Sequence, residues 1–423
     1  MRRLVVTSTV AIGMAGVLYY PHDPLPIAVC VSLLAGMVTW YLLPLVGPRF
    51  IAAGLSGRDM CKADRPLLPE STGILAATIY LMCMLCFTPF LFHHWFIPTT
   101  AEFPLRTFPF QKLGEYLAAL LCLQSMVFLG FADDVFDIRW RYKLVMPTIA
   151  SIPLLMGYFL SDGVTHMVVP VPLRGLLGRV IDIGVLYYVY IAMVAIFCTN
   201  AINILAGVNG VEAGQSLIIA MSIAANDLLY INGEDRFAAE VHIFSLYFML
   251  PFIAVTVALL WHNWTPARVF VGDTYCYFAG MTFAVVGIIG HFSKTMLLFF
   301  IPQVFNFIYS SPQLFHLVPC PRHRMPTLNK DTGNLEPSRC KLTDCSTLGW
   351  AILSIYRLFG LVELQQDPST GVTTINNLTL LNLILTKWGP LHEATLVSTV
   401  LGVQVIGSLL AFFIRYQLVH FFY

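Results

Sequence analysis

The stretch FLGFADDVFDIRWRYK, residues 128–143, sets Asp133, Asp134 and Asp137 at the end of an apolar run and follows them with Arg139, Arg141 and Lys143. Carboxylates this close repel one another unless a cation or metal neutralises them. Carboxylate-rich oxygen sites favour Mg²⁺ or Mn²⁺, and Mg²⁺ completes its shell with water and substrate phosphate. Lys143 cannot ligate a metal but can hold a phosphate, whereas Arg139 and Arg141 read as anchors at a membrane interface. A second cluster, TNAINILAGVNGVEAG, interrupts apolar flanks with Asn200, Asn203 and Asn209. It reads as a glycine-containing turn, and irregular backbone at membrane depth is tolerated where it lines a cavity or water. Asn offers a neutral oxygen to a metal, or an amide to a nucleobase or acetamido group. VFVGDT places Asp273 after a glycine, and PCPRHRMP sets Arg322, His323 and Arg324 between prolines. A stiffened run of cations suits a pyrophosphate, with arginine giving bidentate contacts. Each cluster also has a plainer reading: a helix end, a turn, a common Gly-Asp bend, a basic stop after an apolar span.

The elements that must carry these residues are membrane helices. The chain has 423 residues, 57% of them hydrophobic and only 11% charged, with a mean hydropathy of +0.75; a soluble protein carries about 25% charge. A net charge of +1 gives no argument for nucleic acid. Ten cysteines are scattered, and the Cys83/Cys86 pair lies inside an apolar run, where thiol packing is expected. Spans of about 20 apolar residues fall near 25–46, 73–93, 115–132, 144–161, 180–199, 213–231, 242–261, 275–290, 295–316 and 397–417. The expected fold is an all-α polytopic membrane protein of about ten transmembrane helices. Residues 1–24 are an N-terminal extension with a possible extra helix, 25–316 a nine-helix core, 317–396 a small cytosolic subdomain, and 397–423 the last helix and C-terminus. Within 317–396 the segment STLGWAILSIYRLFGLVEL reads as an interfacial or packed helix. Lys and Arg leave the orientation open, because the long 317–396 loop dominates the excess. The polar clusters are more informative, since nearly all of them fall in loops on one face, and that face is taken as cytosolic.

Carboxylates and amides for a divalent cation, cations for phosphates, and a membrane to supply a lipid together suggest phosphoryl transfer from an activated nucleotide to a lipid acceptor. That chemistry depends on positioning and on neutralising charge spread over oxygens. No GxxxxGK[ST], no GxGxxG after a strand and no HExxH is present, so ATP-motor, dinucleotide and zinc-protease readings have no support. A secondary transporter would place ionisable residues mid-membrane, often with repeat symmetry. Only Asp227 lies well inside a span, and no repeat is visible.

FLGFADDVFDIRWRYK, FCTNAINILAGVNGVEAGQS, RVFVGDTYCYFAGMTFAVVGIIGHFSKT and PCPRHRMP, in this order, resemble the polyprenyl-phosphate sugar-1-phosphate transferase superfamily. The resemblance runs from about residue 45 to the C-terminus, and the PRHR motif is similar to the eukaryotic branch acting on UDP-GlcNAc and dolichyl phosphate. It implies transfer of GlcNAc-1-phosphate to dolichyl phosphate, giving GlcNAc-PP-dolichol and UMP, at the cytosolic face of the endoplasmic reticulum membrane. It also implies a homodimer and a tunicamycin target. By motif, Asp133 and Asp134 are the essential catalytic pair, and Asn203 and Asp273 the Mg²⁺ ligands, with Mn²⁺ an alternative. Arg58, Asp59, Met60, Glu70, Asn209, Arg322, His323 and Arg324 would bind UDP-GlcNAc. Lys143 and the run Ile196, Phe197, Cys198, Thr199, Asn200, Ala201, Ile202, Asn203 and Ile204 would hold dolichyl phosphate. Residues 1–20 make a longer N-terminal extension than the resemblance leads one to expect. The sequons at Asn263 and Asn377 fall in loops on the cytosolic side and are expected to stay unglycosylated.

Overall fold

The computed structural model describes residues 23–96, 108–161, 163–321, 323–342, 345–366 and 372–422. Most of the N-terminal extension, residues 1–22, therefore lies outside the described residues. Among those described, eight helices are long and apolar enough to cross a bilayer. They are α1 (Pro24–Ala52), α2 (Gly73–Leu91), α3 (Phe110–Phe136), α6 (Val185–Ile204), α7 (Val211–Ile231), α8 (Arg236–Asn263), α9 (Gly272–Ile289) and α14 (Glu393–Phe413, continuing to Leu418).

Two expected spans are broken. Residues 144–161 form α4 (Trp140–Ala150) and α5 (Ile152–Ser161), because Pro147 and Pro153 each lack the N–H that a continuous helix needs. Residues 295–316 form α10 (Ser293–Leu298) and α11 (Ile301–Leu314), parted just before Pro302. Among the described residues, Val145–Leu160 is thus a shorter apolar stretch beside the eight long helices, where about ten spans are expected from sequence. The expected span at 180–199 is displaced. Residues 180–182 pair antiparallel with 166–168 in a hairpin, and α6 starts only at Val185. This carries the helix on to Ile204, so Asn200 and Asn203 are helical; of the three asparagines, Asn209 alone sits in the turn.

Helix starts follow local capping chemistry. Asp23 accepts from Leu25 N ahead of α1, and Asp235 accepts from Phe237 N and Ala238 N ahead of α8. Both satisfy amides that a helix leaves unpaired at its first turn. α9 is the most enclosed of the long helices and packs against α2, α3 and α6. Glycine permits these contacts. A Cβ on Gly280 would lie 2.4 Å from Thr199 Cα on α6, and one on Gly130 of α3 would lie 2.6 Å from Thr274 Cα. Close backbone approach at small residues drives packing where lipid removes the hydrophobic advantage.

Residues 317–396 fold as a small subdomain. A short hairpin, β5 (Thr327–Leu328) with β6 (Leu335–Glu336), stands beside a three-stranded sheet in the order β7 (Arg339–Lys341), β9 (Thr373–Asn376), β8 (Leu364–Gln366). α12 (Thr347–Leu358) is the expected amphipathic helix: Gly349 and Leu353 are buried, while Leu348 and Ile355 are 58% and 54% exposed. α13 (Leu380–Trp388) leads back to α14. Gln313 at the end of α11 ties the subdomain down, donating to Pro319 O and Asn377 Oδ1 and accepting from Leu378 N. The described cysteines are all free; of the Cys83/Cys86 pair, Cys83 is buried in packing as expected, whereas Cys86 is exposed.

Candidate active site

The site lies where helix ends converge on one face. α3 ends there with Asp133 and Asp134, α4 begins with Lys143, and α6 ends with Asn203. α7 begins just after Asn209, and α9 begins with Asp273. A cavity of about 360 Å³ opens beside them, lined from α6, the 205–210 turn and α9 but not by Asp133, Asp134 or Lys143. From the residues singled out in sequence, its lining takes Arg58, Asp59, Met60 and Glu70 around the β1 (Ser56–Arg58) and β2 (Leu67–Pro69) hairpin. Asn203, Asn209 and Asp273 complete that set on the helix ends.

The three aspartates of the opening motif separate into different tasks. Asp137 takes a left-handed conformation, φ 48°, and its N–H bonds Asp133 O, so it terminates α3. Asp133, only 3% exposed, accepts from Ile138 N at 3.1 Å and from the Tyr277 hydroxyl at 2.9 Å. Its Oδ2 also lies 2.8 Å from Lys143 Nζ. Asp134 turns instead to the start of α9, accepting from Asp273 N at 2.7 Å, Thr274 N at 3.2 Å and Thr274 Oγ1 at 2.5 Å. A carboxylate there satisfies orphan amides and complements the helix dipole. Gly272 makes room for it: at φ +76°, a Cβ would stand 2.6 Å from Asp134 Oδ2.

Lys143 Nζ bridges Asp133 and Asp273, with Asp273 Oδ2 at 3.0 Å. Partial burial lowers the pKa of the ammonium, but the carboxylates of Asp273 and Asp133 outweigh it and hold it above the ordinary lysine value. On the cavity rim, Glu70 is raised above the usual carboxylate range by partial burial and then by Asp273.

The 205–210 turn is fixed from three sides. Glu212 accepts from Gly207 N at 3.0 Å, Asn263 Oδ1 accepts from Gly210 N at 2.8 Å, and Gln215 donates to Ile202 O and Leu205 O. Asn263 is thus a buried structural asparagine, and Asn377 at 1% exposure is another; a folded chain offers neither sequon to a glycosylating enzyme.

Along α6, Cys198, Thr199, Ala201 and Ile202 are buried in the helix core, while Ile196, Phe197, Asn200, Asn203 and Ile204 are half-buried. In the PRHR segment, Arg322 lies outside the described residues and His323 is exposed. Arg324 is held through its carbonyl, which accepts from Asn382 Nδ2 at 2.7 Å. Its Nη1 is buried with no hydrogen-bond partner among the described residues. An unpaired guanidinium nitrogen suits an anionic ligand. The following residue, Met325, lines the cavity.

Several site residues escaped the sequence reading. Phe270 sits inside the VFVGDT motif and presents an aromatic wall, and Glu212 belongs to the quoted VNGVEAG stretch. Glu393 had no local signal: a lone carboxylate beside an apolar helix, it reaches Asn209 only through the fold, at 2.8 Å.

Residues 116–291 match the glycosyl transferase family 4. The chain is 47% identical over 425 residues to the UDP-N-acetylglucosamine–dolichyl-phosphate N-acetylglucosaminephosphotransferase of Schizosaccharomyces pombe, covering 96% of this chain and 95% of that protein. Against the Saccharomyces cerevisiae protein of the same name it is 46% identical over 422 residues, covering 95% and 94%. A more distant likeness, 25% over 227 residues and covering 48% and 60%, is to the phospho-N-acetylmuramoyl-pentapeptide-transferase of Leptospira biflexa. Because the likeness spans both the membrane helices and the subdomain bearing Arg324, the chain belongs to the glycosyl transferase family 4, among the UDP-N-acetylglucosamine–dolichyl-phosphate N-acetylglucosaminephosphotransferases.

Proposed function

We propose that this chain transfers N-acetylglucosamine-1-phosphate from UDP-GlcNAc to dolichyl phosphate, giving GlcNAc-PP-dolichol and UMP, the first step of lipid-linked oligosaccharide synthesis for protein N-glycosylation. An oxygen of the lipid phosphate attacks the phosphorus bound to the sugar, the pyrophosphate P–O bond breaks, and UMP leaves with that electron pair. The observation that carries the reading is the Lys143 ammonium held between Asp133 and Asp273 at the rim of a cavity large enough for a nucleotide.

The donor set fits Mg²⁺. Asp273 and Asn203 line the same cavity with hard oxygen atoms, and the Asp273 carboxylate already faces a cation, Lys143. Two protein ligands leave most of a Mg²⁺ shell to water and phosphate. Asn203 and Asp273 would hold the ion, which when bound neutralises charge on the pyrophosphate oxygens; Mn²⁺ has the same preferences.

The chain's own residues supply the rest. Lys143 attracts the acceptor phosphate, and the half-buried face of 196–204 receives the chain behind it. Asp133 orients Lys143; a lipid phosphate is already an anion at neutral pH and needs no deprotonation. Asp134 acts by fixing Asp273. Arg322, His323 and Arg324 hold the pyrophosphate and sugar, and Phe270 offers a face on which a base can stack. The reading places the site on the cytosolic face of the endoplasmic reticulum membrane, in a homodimer, as a target of tunicamycin.

The test is purified protein given radiolabelled UDP-GlcNAc, dolichyl phosphate and Mg²⁺. Labelled lipid and UMP should appear in equal amounts, and both should vanish with Asp273→Ala or with EDTA. UDP as the co-product would mean plain glycosyl transfer and would overturn the phosphate assignment.

A further inference from the structure

The Asn209 amide is placed unusually for a cavity residue. Its Nδ2 donates both hydrogens to carboxylates, to Asp59 Oδ2 at 3.0 Å and to Glu393 Oε1 at 2.8 Å. Asp59, Asn209 and Glu393 are exposed by only 2%, 6% and 2%. Lys62 pairs with the other oxygen of Glu393 and lies 4.0 Å from Asp59, so one ammonium serves the two carboxylates. Asp59 is itself fixed by Cys61 N at 2.9 Å.

Asp59, Cys61 and Glu393 lie close enough to suggest a metal cluster, but the chemistry is against one. Lys62 already places an ammonium against Glu393 and 4.0 Å from Asp59, and burial, then Asp59, push the Cys61 thiol up to about 12.

Which way an asparagine amide lies is usually a choice between two equivalent fits. Here it is determined. Turning the amide over would set its oxygen against two carboxylate oxygens. With both hydrogens spent, Oδ1 is the one side-chain polar atom Asn209 has left to offer the cavity it lines, and no described residue donates to it. The ligand must then bring a donor.

We infer that Glu393, on the last membrane helix, is a positioning residue that fixes the Asn209 amide as an acceptor and so sets the site's preference for a base carrying an N–H at that edge. The inference rests on the proposed use of a uridine nucleotide and deepens it. Uracil presents N3–H there, whereas cytosine presents a bare N3, which would face Oδ1 lone pair to lone pair. Asp59 provides the second anchor, and Lys62 holds Glu393 in place through its other oxygen.

The experiment measures UMP and CMP binding to the purified full-length protein by thermal protection, which needs no turnover. A missing donor opposite a desolvated acceptor costs about 10- to 100-fold in affinity, so the wild type should favour UMP by about that factor. Glu393→Ala leaves Asp59 as the one carboxylate holding the amide and should reduce the preference severalfold, weakening UMP while leaving CMP unchanged or tighter. Glu393→Gln keeps one acceptor and should fall between the two; if the alanine variant does not fold, this isostere carries the test. In turnover, KM for UDP-GlcNAc should rise while kcat stays near wild type. An unchanged UMP/CMP ratio in a folded variant, with both nucleotides weakened equally, would reduce Glu393 to a structural role and overturn the inference. So would a wild type indifferent to the base. Retained UMP preference without GlcNAc-1-phosphate transfer would instead overturn the reaction and leave the base reading standing.

Discussion

Replacing Asp134 by asparagine tests whether this aspartate works on the substrate or on the helix that carries Asp273. Its carboxylate takes hydrogen bonds from Asp273 N at 2.7 Å, Thr274 N at 3.2 Å and Thr274 Oγ1 at 2.5 Å. An asparagine has one acceptor oxygen where the aspartate has two. Whichever way the amide lies, one backbone N–H of the first turn of α9 then faces an NH₂ group. The Thr274 hydroxyl can turn away, but a backbone N–H cannot. One orphaned N–H costs about 1–3 kcal/mol, and losing the negative charge at a helix N-terminus adds about 1 kcal/mol. The sum, about 2–4 kcal/mol, is a large part of a marginal stability. Asp273 N is one of the two donors at stake, so the loss displaces the carboxylate that faces Lys143 as well. Thermal unfolding in detergent, followed by size-exclusion fluorescence beside a turnover assay, should show melting lowered by several degrees and activity lowered with it. Asp134→Ala should do more of both. A variant that melts with the wild type yet turns over slowly would refute the anchoring and return Asp134 to the reaction itself.

Three further outcomes are expected. Lys143→Ala leaves Asp133 buried without its cation; the cost should be about 3 kcal/mol, the low end for a buried pair, because Lys143 and Asp273 keep 23% and 30% exposure. The same variant should raise KM for dolichyl phosphate, and unchanged acceptor kinetics would remove Lys143 from the lipid phosphate. Gly280→Ala places a methyl 2.4 Å from the α6 backbone and should destabilise by about 1–3 kcal/mol, whereas Gly114→Ala, with nothing within 4 Å, should be harmless; equal melting of the two would refute the close α6–α9 contact. Finally, Asn263 and Asn377 should carry no glycan, so endoglycosidase treatment should leave electrophoretic mobility unchanged, and a shift would overturn the orientation.

Much of the architecture is legible in the sequence because a bilayer imposes a simple requirement: long apolar runs that satisfy their own backbone. The long helices follow from this, as does the gathering of polar motifs on one face. Broken spans escape the same argument. A proline pair such as Pro147 and Pro153 leaves hydropathy unchanged while removing hydrogen bonds, so 144–161 looks like one helix and is two. The start of α6 was misplaced for a similar reason, since Val180–Asp182 is as apolar as a helix end but pairs with His166–Val168 as a strand.

The candidate site divides along the same line. Residue type and spacing draw attention to Asp133, Asp134, Asn203, Asn209 and Asp273, but each cluster alone also reads as a helix end, a turn or a bend, and their combination in loops beside apolar runs is what points to a site. What each does is set by contacts across large sequence separations. Asp133 and Asp134 are neighbours on one helix, yet successive side chains diverge by about 100°, so one meets Lys143 and Tyr277 and the other caps α9. Asn209 Nδ2 meets Asp59 from 150 residues before it and Glu393 from 184 residues after. No local pattern marks Glu393, because its role exists only once the last helix is packed against the turn that carries Asn209.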